Sequence, residues 1–271
     1  FSLSYGLNEW RVVRVRDGAE ISGYPQKFVV DDRPLNPLPD HSQLLRYQWK
    51  VRSAFLSEKS GKELSSGNGM LDDWHETSLP ATALTALVRN GVYPNPYIAK
   101  NNMQIPDMND DFNNEYGLLK YSHIEGKNPW GKPYWYVKSF TLDDGAANKK
   151  IWLNFHELNY RAELWLNGKM IADTAEMVGM ERQFRFEVTD LVNRDEENHL
   201  AVAVYPLDVP GEPGVPPLEP FGEPGVNMGD GNFGQNYTKW DALGWDWQPA
   251  VRDRDMGITE DVFLEFTDDI T

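Results

Sequence analysis

The stretch RAELWLNGKMIAD, residues 161–173, decides the fold class of this chain. Ala162, Leu164 and Leu166 alternate with polar or amphipathic residues, which is the period of a half-buried β-strand. The dipeptide Asn167-Gly168 follows, and it favours the type I′ turn of a hairpin because both residues tolerate positive φ. The segment KMIAD then supplies a second strand. The sequence therefore predicts a β-hairpin at this position.

The same period of two recurs on both sides of the hairpin. Segments that alternate in this way and carry β-branched or aromatic residues lie at 47–55, 134–142, 150–158, 161–168, 181–188, 198–207 and 261–267. Turn signals separate them. Strands spaced in this way, with almost no helix between them, predict an all-β fold, an antiparallel β-sandwich of the jelly-roll kind.

One short helix is predicted, in the segment PATALTALVRNG, residues 80–91. Leu84, Leu87 and Val88 share one face of it, and Pro80 lies at its start. Asn90-Gly91 supplies the signal that ends it.

Two regions differ from the strand segments above and suggest a division of the chain. Residues 1–44 are expected to form an N-terminal extension or hairpin packed on the sandwich, which itself occupies residues 45–271. Residues 206–236 are rich in proline and glycine, which excludes a sheet interior and predicts a long loop. Its length and its Phe221 and Phe233 favour a functional loop.

Composition excludes several classes of function. The formal net charge of -16 argues against nucleic acid, whose phosphates need clustered Lys and Arg. No run of about 18 apolar residues is present, so no membrane span is predicted. The chain has no cysteine, which removes disulfides and thiolate sites. Its 10 Trp, 12 Tyr and 12 Phe fit either a β-sandwich core or contact with carbohydrate.

Six segments, in order, resemble the amino-terminal sugar-binding domain of glycoside hydrolase family 2, in its exo-β-glucosaminidase and β-mannosidase branch. They are LPATALTALVRNGVYPNPYIAKNNMQIP (79–106), PYWYVKSFTL (133–142), NFHELNYRAELWLNGKMI (154–171), VTDLV (188–192), NHLAVAVYP (198–206) and GWDWQPAVRDRDMGI (244–258). The resemblance runs from about Gln48 to Phe266. It implies a galactose-binding-like jelly roll.

The resemblance also implies a substrate contact at Asp246, which would bind hydroxyls of the non-reducing-end sugar in the pocket of a neighbouring barrel domain. A carboxylate suits this role because it accepts from two adjacent hydroxyls at once. Trp245 and Trp247 flank it, and in an extended segment they point to opposite sides, so one can stack on a sugar while the other enters the core. The alternative for Asp246 is a structural partnership with Arg252 or Arg254.

Arg252 and Arg254 are the remaining candidates for substrate binding. Flanking Asp253, they are suited to orient a substrate carboxylate or Asp246, and equally to form an internal ion-pair network that holds the loop. At position 255 the sequence differs from the pattern of this branch, since it has Asp where a neutral residue such as Asn is expected.

No catalytic residue is predicted in the chain. Family 2 enzymes cut the glycosidic bond with two carboxylates on a (β/α)8 barrel, which needs about 250 residues by itself. The Asn-Glu dipeptide that precedes the acid in such barrels occurs at Asn8-Glu9 and Asn114-Glu115, but neither follows a barrel strand. The chain alone is therefore expected to be inactive, with barrel and immunoglobulin-like domains as its partners.

Metal sites and cofactors are not expected. Asp107, Asn109, Asp110 and Asp111 could hold a structural calcium ion, although they lack EF-hand spacing, and a solvated acidic loop is the alternative. The five histidines include no i, i+4 pair for zinc, and His156 is expected to cap a strand end.

Three functions remain open on the sequence. The first is the sugar-binding domain of a glycoside hydrolase acting on a β-linked oligosaccharide or glycoside. The second is a free-standing carbohydrate-binding module with its own groove, built in part by the loop 206–236. The third is a structural or adhesion sandwich in which every tryptophan is core. A polysaccharide ligand predicts a secreted or periplasmic location.

Overall fold

The computed structural model describes residues 34–67, 71–106, 118–206 and 251–268, together with four short strands before residue 31. Contacts divide the chain between Leu38 and Pro39. The first unit contains β1 (Gly6–Arg11), β2 (Arg14–Arg16), β3 (Ala19–Ser22) and β4 (Pro25–Val30). β1 pairs with β4 and β2 with β3, both antiparallel. The boundary after residue 44 and the packing of residues 1–44 on the sandwich stay predictions.

The second unit carries the sandwich. Its elements in chain order are β5 (Ser42–Leu44), β6 (Trp49–Ser53), α1 (Gly61–Leu64), β7 (His75–Thr77), β8 (Ala81–Thr82), α2 (Ala83–Arg89), β9 (Tyr134–Phe140), β10 (Lys150–Phe155), β11 (Arg161–Leu166), β12 (Lys169–Ala172), β13 (Phe184–Glu187), β14 (Asn198–Tyr205), β15 (Gly257–Ile258) and β16 (Val262–Thr267). Short 3₁₀ turns occupy Asn101–Gln104, Leu118–Tyr121 and Asp144–Ala146.

Two antiparallel sheets form the body of this unit. The larger has six strands in the order β12-β11-β14-β9-β6-β7, and the smaller has four in the order β13-β10-β16-β5. Buried side chains from both sheets, such as Leu164 and Val202 from the larger and Leu153 and Leu264 from the smaller, form one hydrophobic cluster. The predicted all-β sandwich is confirmed.

The hairpin of residues 161–173 forms as its sequence predicts. β11 pairs with β12, with Leu166 opposite Lys169. Asn167 has φ of 48° and Gly168 has φ of 79°, as a type I′ turn requires. The Asn167 amide also donates to Asn198 Oδ1 at 2.7 Å and to Leu191 O at 2.8 Å, which joins the turn to the neighbouring strand.

Strand β14, in the interior of the six-stranded sheet, is buried on both faces. In β14, Leu200, Val202 and Val204 belong to the main core, while Ala201 and Ala203 belong to a second cluster. This second cluster includes Leu64 of α1 and Trp74, together with Trp135 of β9. Trp49, Trp74, Trp130 and Trp135 are all buried, so much of the aromatic content serves the core.

The predicted helix is α2, with Leu84 and Leu87 buried and Val88 partly buried against the core. It begins at Ala83, three residues after Pro80, and its cap, Thr82, accepts a hydrogen bond from Thr85 N at 3.2 Å. The expectation of a single helix is incomplete, because α1 adds one turn. Its Ser60 and Glu63 form a capping box, a signal that the sequence carries at the required spacing.

None of the helices in the described ranges has the length and apolar character of a membrane span.

Candidate functional site

The motif that ends the family resemblance is described from Val251 onwards. Trp245, Asp246 and Trp247 lie outside the described residues, as does most of the loop 206–236 with Phe221 and Phe233. Their roles stay predictions. The described end of the motif is a tight turn, residues 251–256, named here the arginine turn.

The backbone of the arginine turn is closed by two hydrogen bonds. Arg254 N donates to Val251 O at 3.0 Å, and Met256 N donates to Asp253 O at 3.0 Å. Arg254 and Asp255 both have positive φ, 53° and 55°. Such values are uncommon outside glycine, and here they reverse the chain so that it enters β15.

Asp253 connects the arginine turn to α2. Its side chain is 2% exposed, and Oδ2 accepts from Leu84 N at 2.7 Å while Oδ1 accepts from Asp255 N at 3.1 Å. Burial raises the pKa of Asp253, although hydrogen bonds from Thr82, Leu84 N and Asp255 N and the charge of Arg254 oppose the shift. This carboxylate satisfies a helix N-terminus and is not directed to solvent.

Arg252 connects the turn to the loop after α2. The residue is 5% exposed, and its Nε donates to Asn102 O at 3.0 Å. Asn102 belongs to the 3₁₀ turn Asn101–Gln104 within the NNMQIP segment of the resemblance. The contact therefore joins two segments that are about 150 residues apart in sequence.

Arg254 closes the turn on itself. It is 6% exposed, and its Nη1 donates to Val251 O and to Arg252 O, each at 2.9 Å. Its own carbonyl accepts from Asn159 Nδ2 at 2.8 Å. These hydrogen bonds of Arg252 and Arg254 end on backbone carbonyls, and direct binding of sugar by either arginine stays a prediction.

Asn159 and Gly257 complete the support of the turn. Asn159 N donates to Gly257 O at 2.9 Å, and Gly257 N donates to Asn159 O at 3.0 Å. Gly257 also lies against β8, since a Cβ added there would be 2.5 Å from Ala81 O. The resemblance included Asn159 and Gly257 within its segments, but nothing local in the sequence indicated this contact.

Aromatic residues that flank the loop 94–104 in sequence pack against one another. Trp130 stacks on Tyr134 with centroids 6.1 Å apart and lies 6.0 Å from the ring of Tyr93. The Tyr93 hydroxyl lies 2.8 Å from His123 Nδ1 and accepts from His123 N at 3.2 Å. Burial lowers the pKa of His123 to about 4, with a smaller effect from His75. His123 is therefore neutral at pH 7.

The predicted calcium ligands, Asp107, Asn109, Asp110 and Asp111, lie outside the described residues. Over the ranges that are described, no three His, Cys, Asp or Glu side chains come together as a metal site would require. His156 directly follows β10, and its backbone N donates to Asp261 O at 2.9 Å.

A family model described as the glycosyl hydrolase 2 galactose-binding domain-like domain matches residues 119–260, just over half of the chain. The chain is 31% identical over 226 residues to the mannosylglycoprotein endo-β-mannosidase of Lilium longiflorum, covering 82% of this chain and 21% of that protein. It is 26% identical to an exo-β-D-glucosaminidase of Streptomyces avermitilis, covering 70% of this chain and 16% of the enzyme.

The fold also matches solved structures. The exo-chitosanase of Amycolatopsis orientalis superposes with a TM-score of 0.60 at 19% identity, covering 83% of this chain and 20% of that one. The chain thus spans about a fifth of the length of each of these proteins, or less.

Proposed function

Because the chain belongs to the glycosyl hydrolase 2 galactose-binding domain-like family, we propose that it helps to form the substrate pocket of a glycoside hydrolase, with Asp246 contacting the non-reducing-end sugar. The relatives named above are a mannosidase and a glucosaminidase. A β-linked mannoside or glucosaminide is therefore the proposed substrate class. Catalysis would fall to other domains of a longer polypeptide, the barrel among them.

The observation that carries this proposal is the support given to the arginine turn. Asp246 lies five residues before Val251 in the sequence. From Val251 onwards the chain is held by buried contacts to α2, to the Asn101–Gln104 turn and to Asn159. A binding residue needs such support, because a side chain held by a rigid neighbourhood loses less entropy when it binds.

The chemistry of Asp246 suits either sugar. A carboxylate accepts hydrogen bonds from two neighbouring hydroxyls, and its charge strengthens each of them. With a glucosaminide it would also pair with the ammonium group. Trp245 or Trp247 would stack on the pyranose ring, and Arg252 and Arg254 would act by holding the turn that follows.

The test is Asp246→Ala in the polypeptide encoded by the complete gene, assayed on 4-nitrophenyl β-D-mannoside and β-D-glucosaminide. We expect kcat/KM to fall about 10- to 100-fold on the preferred substrate, since one charge-assisted contact is worth about 1.5–3 kcal/mol. Asp72→Ala is the matched control, because Asp72 is an exposed carboxylate elsewhere in the domain. Equal kcat/KM for Asp246→Ala and wild type would remove Asp246 from the pocket.

The second candidate is a free-standing carbohydrate-binding module, favoured by the proline- and glycine-rich segment 206–236. Calorimetric titration of the 271-residue chain with chitosan and mannan oligosaccharides separates the two. A module should bind them by itself with Asp246 required, whereas a pocket edge completed by a second domain should show little affinity alone. A secreted or periplasmic location stays a prediction under either function.

A further inference from the structure

We propose that the contact between Tyr93 and His123 is an acid-sensitive latch, which holds residues 119–127 on the sandwich and releases them when His123 binds a proton. Residues 119–127 are called the His123 turn below. The inference does not rest on the proposed function, because it concerns a contact within the domain itself.

The His123 turn makes most of its hydrogen bonds to itself. Ile124 N donates to the Ser122 hydroxyl at 3.1 Å, and Lys127 N donates to Ile124 O at 3.0 Å. Between this turn and the other described parts of the chain, the only hydrogen bonds are the two that join His123 to Tyr93. The hydrogen-bonded attachment of the turn thus depends on the Tyr93 hydroxyl.

The Tyr93 hydroxyl can serve both contacts only if His123 is neutral. Its oxygen accepts from His123 N at 3.2 Å, so its single proton is directed to Nδ1, which lies 2.8 Å away. Burial raises the pKa of Tyr93, and the hydroxyl keeps this proton. Nδ1 is then the acceptor, and the ring proton is on Nε2. When a proton adds to Nδ1, two donors face each other and this hydrogen bond is lost.

The surroundings of His123 oppose its charged form. The rings of Tyr93 and His123 meet edge to face with centroids 5.4 Å apart, and Tyr93 is 5% exposed. Burial and the charge of nearby His75 lower the pKa of His123 to about 4. The pKa of His75 is itself lowered by burial and by Arg52, against the effect of Asp73. In the released turn His123 is solvated and its pKa returns to the ordinary 6.5, so acid favours release.

The C-terminal end of the turn is anchored independently of the latch. Trp130 is buried, its Nε1 donates to Pro106 O at 2.7 Å, and its backbone N donates to Asn128 Oδ1 at 3.2 Å. The ammonium group of Lys127 lies 4.8 Å from the centroid of the Phe55 ring. Release is therefore expected to swing the turn about this end and to leave the sandwich intact.

An apolar contact keeps the turn closed at neutral pH. Ile124 is 5% exposed, and transfer of such a side chain to water is unfavourable. The released turn is thus a minor population at pH 7, which protonation of His123 increases. With a pKa of about 4 when closed and 6.5 when released, the equilibrium constant for release should rise about 10- to 25-fold between pH 7 and pH 5.

The test is NMR hydrogen exchange of the 271-residue chain at pH 7 and pH 5, with rates corrected for the intrinsic effect of pH. The protection of the Ile124 and Lys127 amides should fall by the factor given above. Low concentrations of urea should leave this protection unchanged, because local release exposes little surface. The amide of Val202, in β14, should exchange only through global unfolding and should lose protection steadily with urea.

His123→Asn is the deciding variant, because its side-chain oxygen can accept from the Tyr93 hydroxyl and does not titrate. Protection of the turn should then be equal at pH 7 and pH 5. His75→Asn is the matched control, since His75 titrates nearby but has no part in the contact with Tyr93. It should retain the wild-type fall in protection to within about twofold.

Three results with the wild-type chain would overturn the latch, and they decide the matter even if His123→Asn fails to fold. The first is protection of the turn that does not change between pH 7 and pH 5. The second is protection that falls with urea as that of Val202 does, which would mean that the turn opens only in global unfolding. The third is an Nδ1–H tautomer of His123 at pH 7, read from its ¹⁵N chemical shifts. The Tyr93 O–H would then turn to Ser122, and protonation of His123 would break no hydrogen bond.

Discussion

Asp253 is the residue on which the arginine turn depends most. Its carboxylate accepts from Leu84 N at 2.7 Å and from Asp255 N at 3.1 Å while only 2% exposed. Removing it leaves one buried donor, Leu84 N, and one partly buried donor, Asp255 N, without their acceptor. We expect Asp253→Ala to lower the free energy of unfolding by about 2–4 kcal/mol, measured by urea denaturation, because unsatisfied buried donors cost about 1–3 kcal/mol each.

The matched control at this scale is Asp195→Ala, since Asp195 is exposed. Its effect should stay within about 0.5 kcal/mol. If Asp253→Ala unfolded at the same urea concentration as Asp195→Ala, the carboxylate would not be holding the turn to α2.

At the scale of elements, the pairing of the short strands β8 and β15 positions the arginine turn. A Cβ on Gly257 would lie 2.5 Å from both Ala81 O and Thr82 Cα, which are backbone atoms and cannot rotate away. We expect Gly257→Ala to force the two strands apart and to cost about 1–3 kcal/mol of unfolding free energy, as overpacking does. Thermal unfolding followed by circular dichroism is the measurement.

Gly131→Ala is the control for this pair of strands, because a Cβ there would meet its nearest neighbour, Asn128 O, at 3.4 Å, an ordinary contact. A melting temperature for Gly257→Ala equal to that of Gly131→Ala would mean that β8 and β15 separate without cost.

At the scale of the whole molecule, the domain is expected to lose stability in mild acid through His123. Burial lowers the pKa of His123 to about 4 in the folded chain, against 6.5 for an ordinary histidine. Between pH 4 and pH 6.5 the unfolded chain binds more protons than the folded one. The contribution of neutral His123 to the free energy of unfolding is therefore complete above about pH 6.5 and is lost as the pH falls towards 4. We expect His123→Gln to flatten the pH dependence of the unfolding free energy in this window.

The control is His41→Asn, an exposed histidine with φ of 61°, a conformation that asparagine tolerates. It should retain the wild-type slope. An equally steep slope in His123→Gln would assign the acid sensitivity to other groups. Asp253 has the opposite effect because its pKa is raised in the folded chain. The stability linked to protonation of Asp253 is lost as the pH rises through its folded-state pKa.

The sequence by itself determined the class of fold, the hairpin of residues 161–173 and the helix α2. These are local features: a period of two, an Asn-Gly turn and an apolar face followed by Asn-Gly are each readable within about a dozen residues. The family resemblance also came from the sequence, as an ordered set of short segments. The roles of Trp245, Asp246 and Trp247 rest on that resemblance and stay predictions.

Only the tertiary structure decided which strands of two or three residues exist and what holds the arginine turn. β5, β8 and β15 are too short to show a period, and they form because distant partners bring their hydrogen bonds. The bonds from Leu84 N to Asp253 and from Arg252 to Asn102 O join residues 169 and 150 positions apart. Local patterning cannot encode such contacts, because they depend on how the packed sheets bring remote segments together.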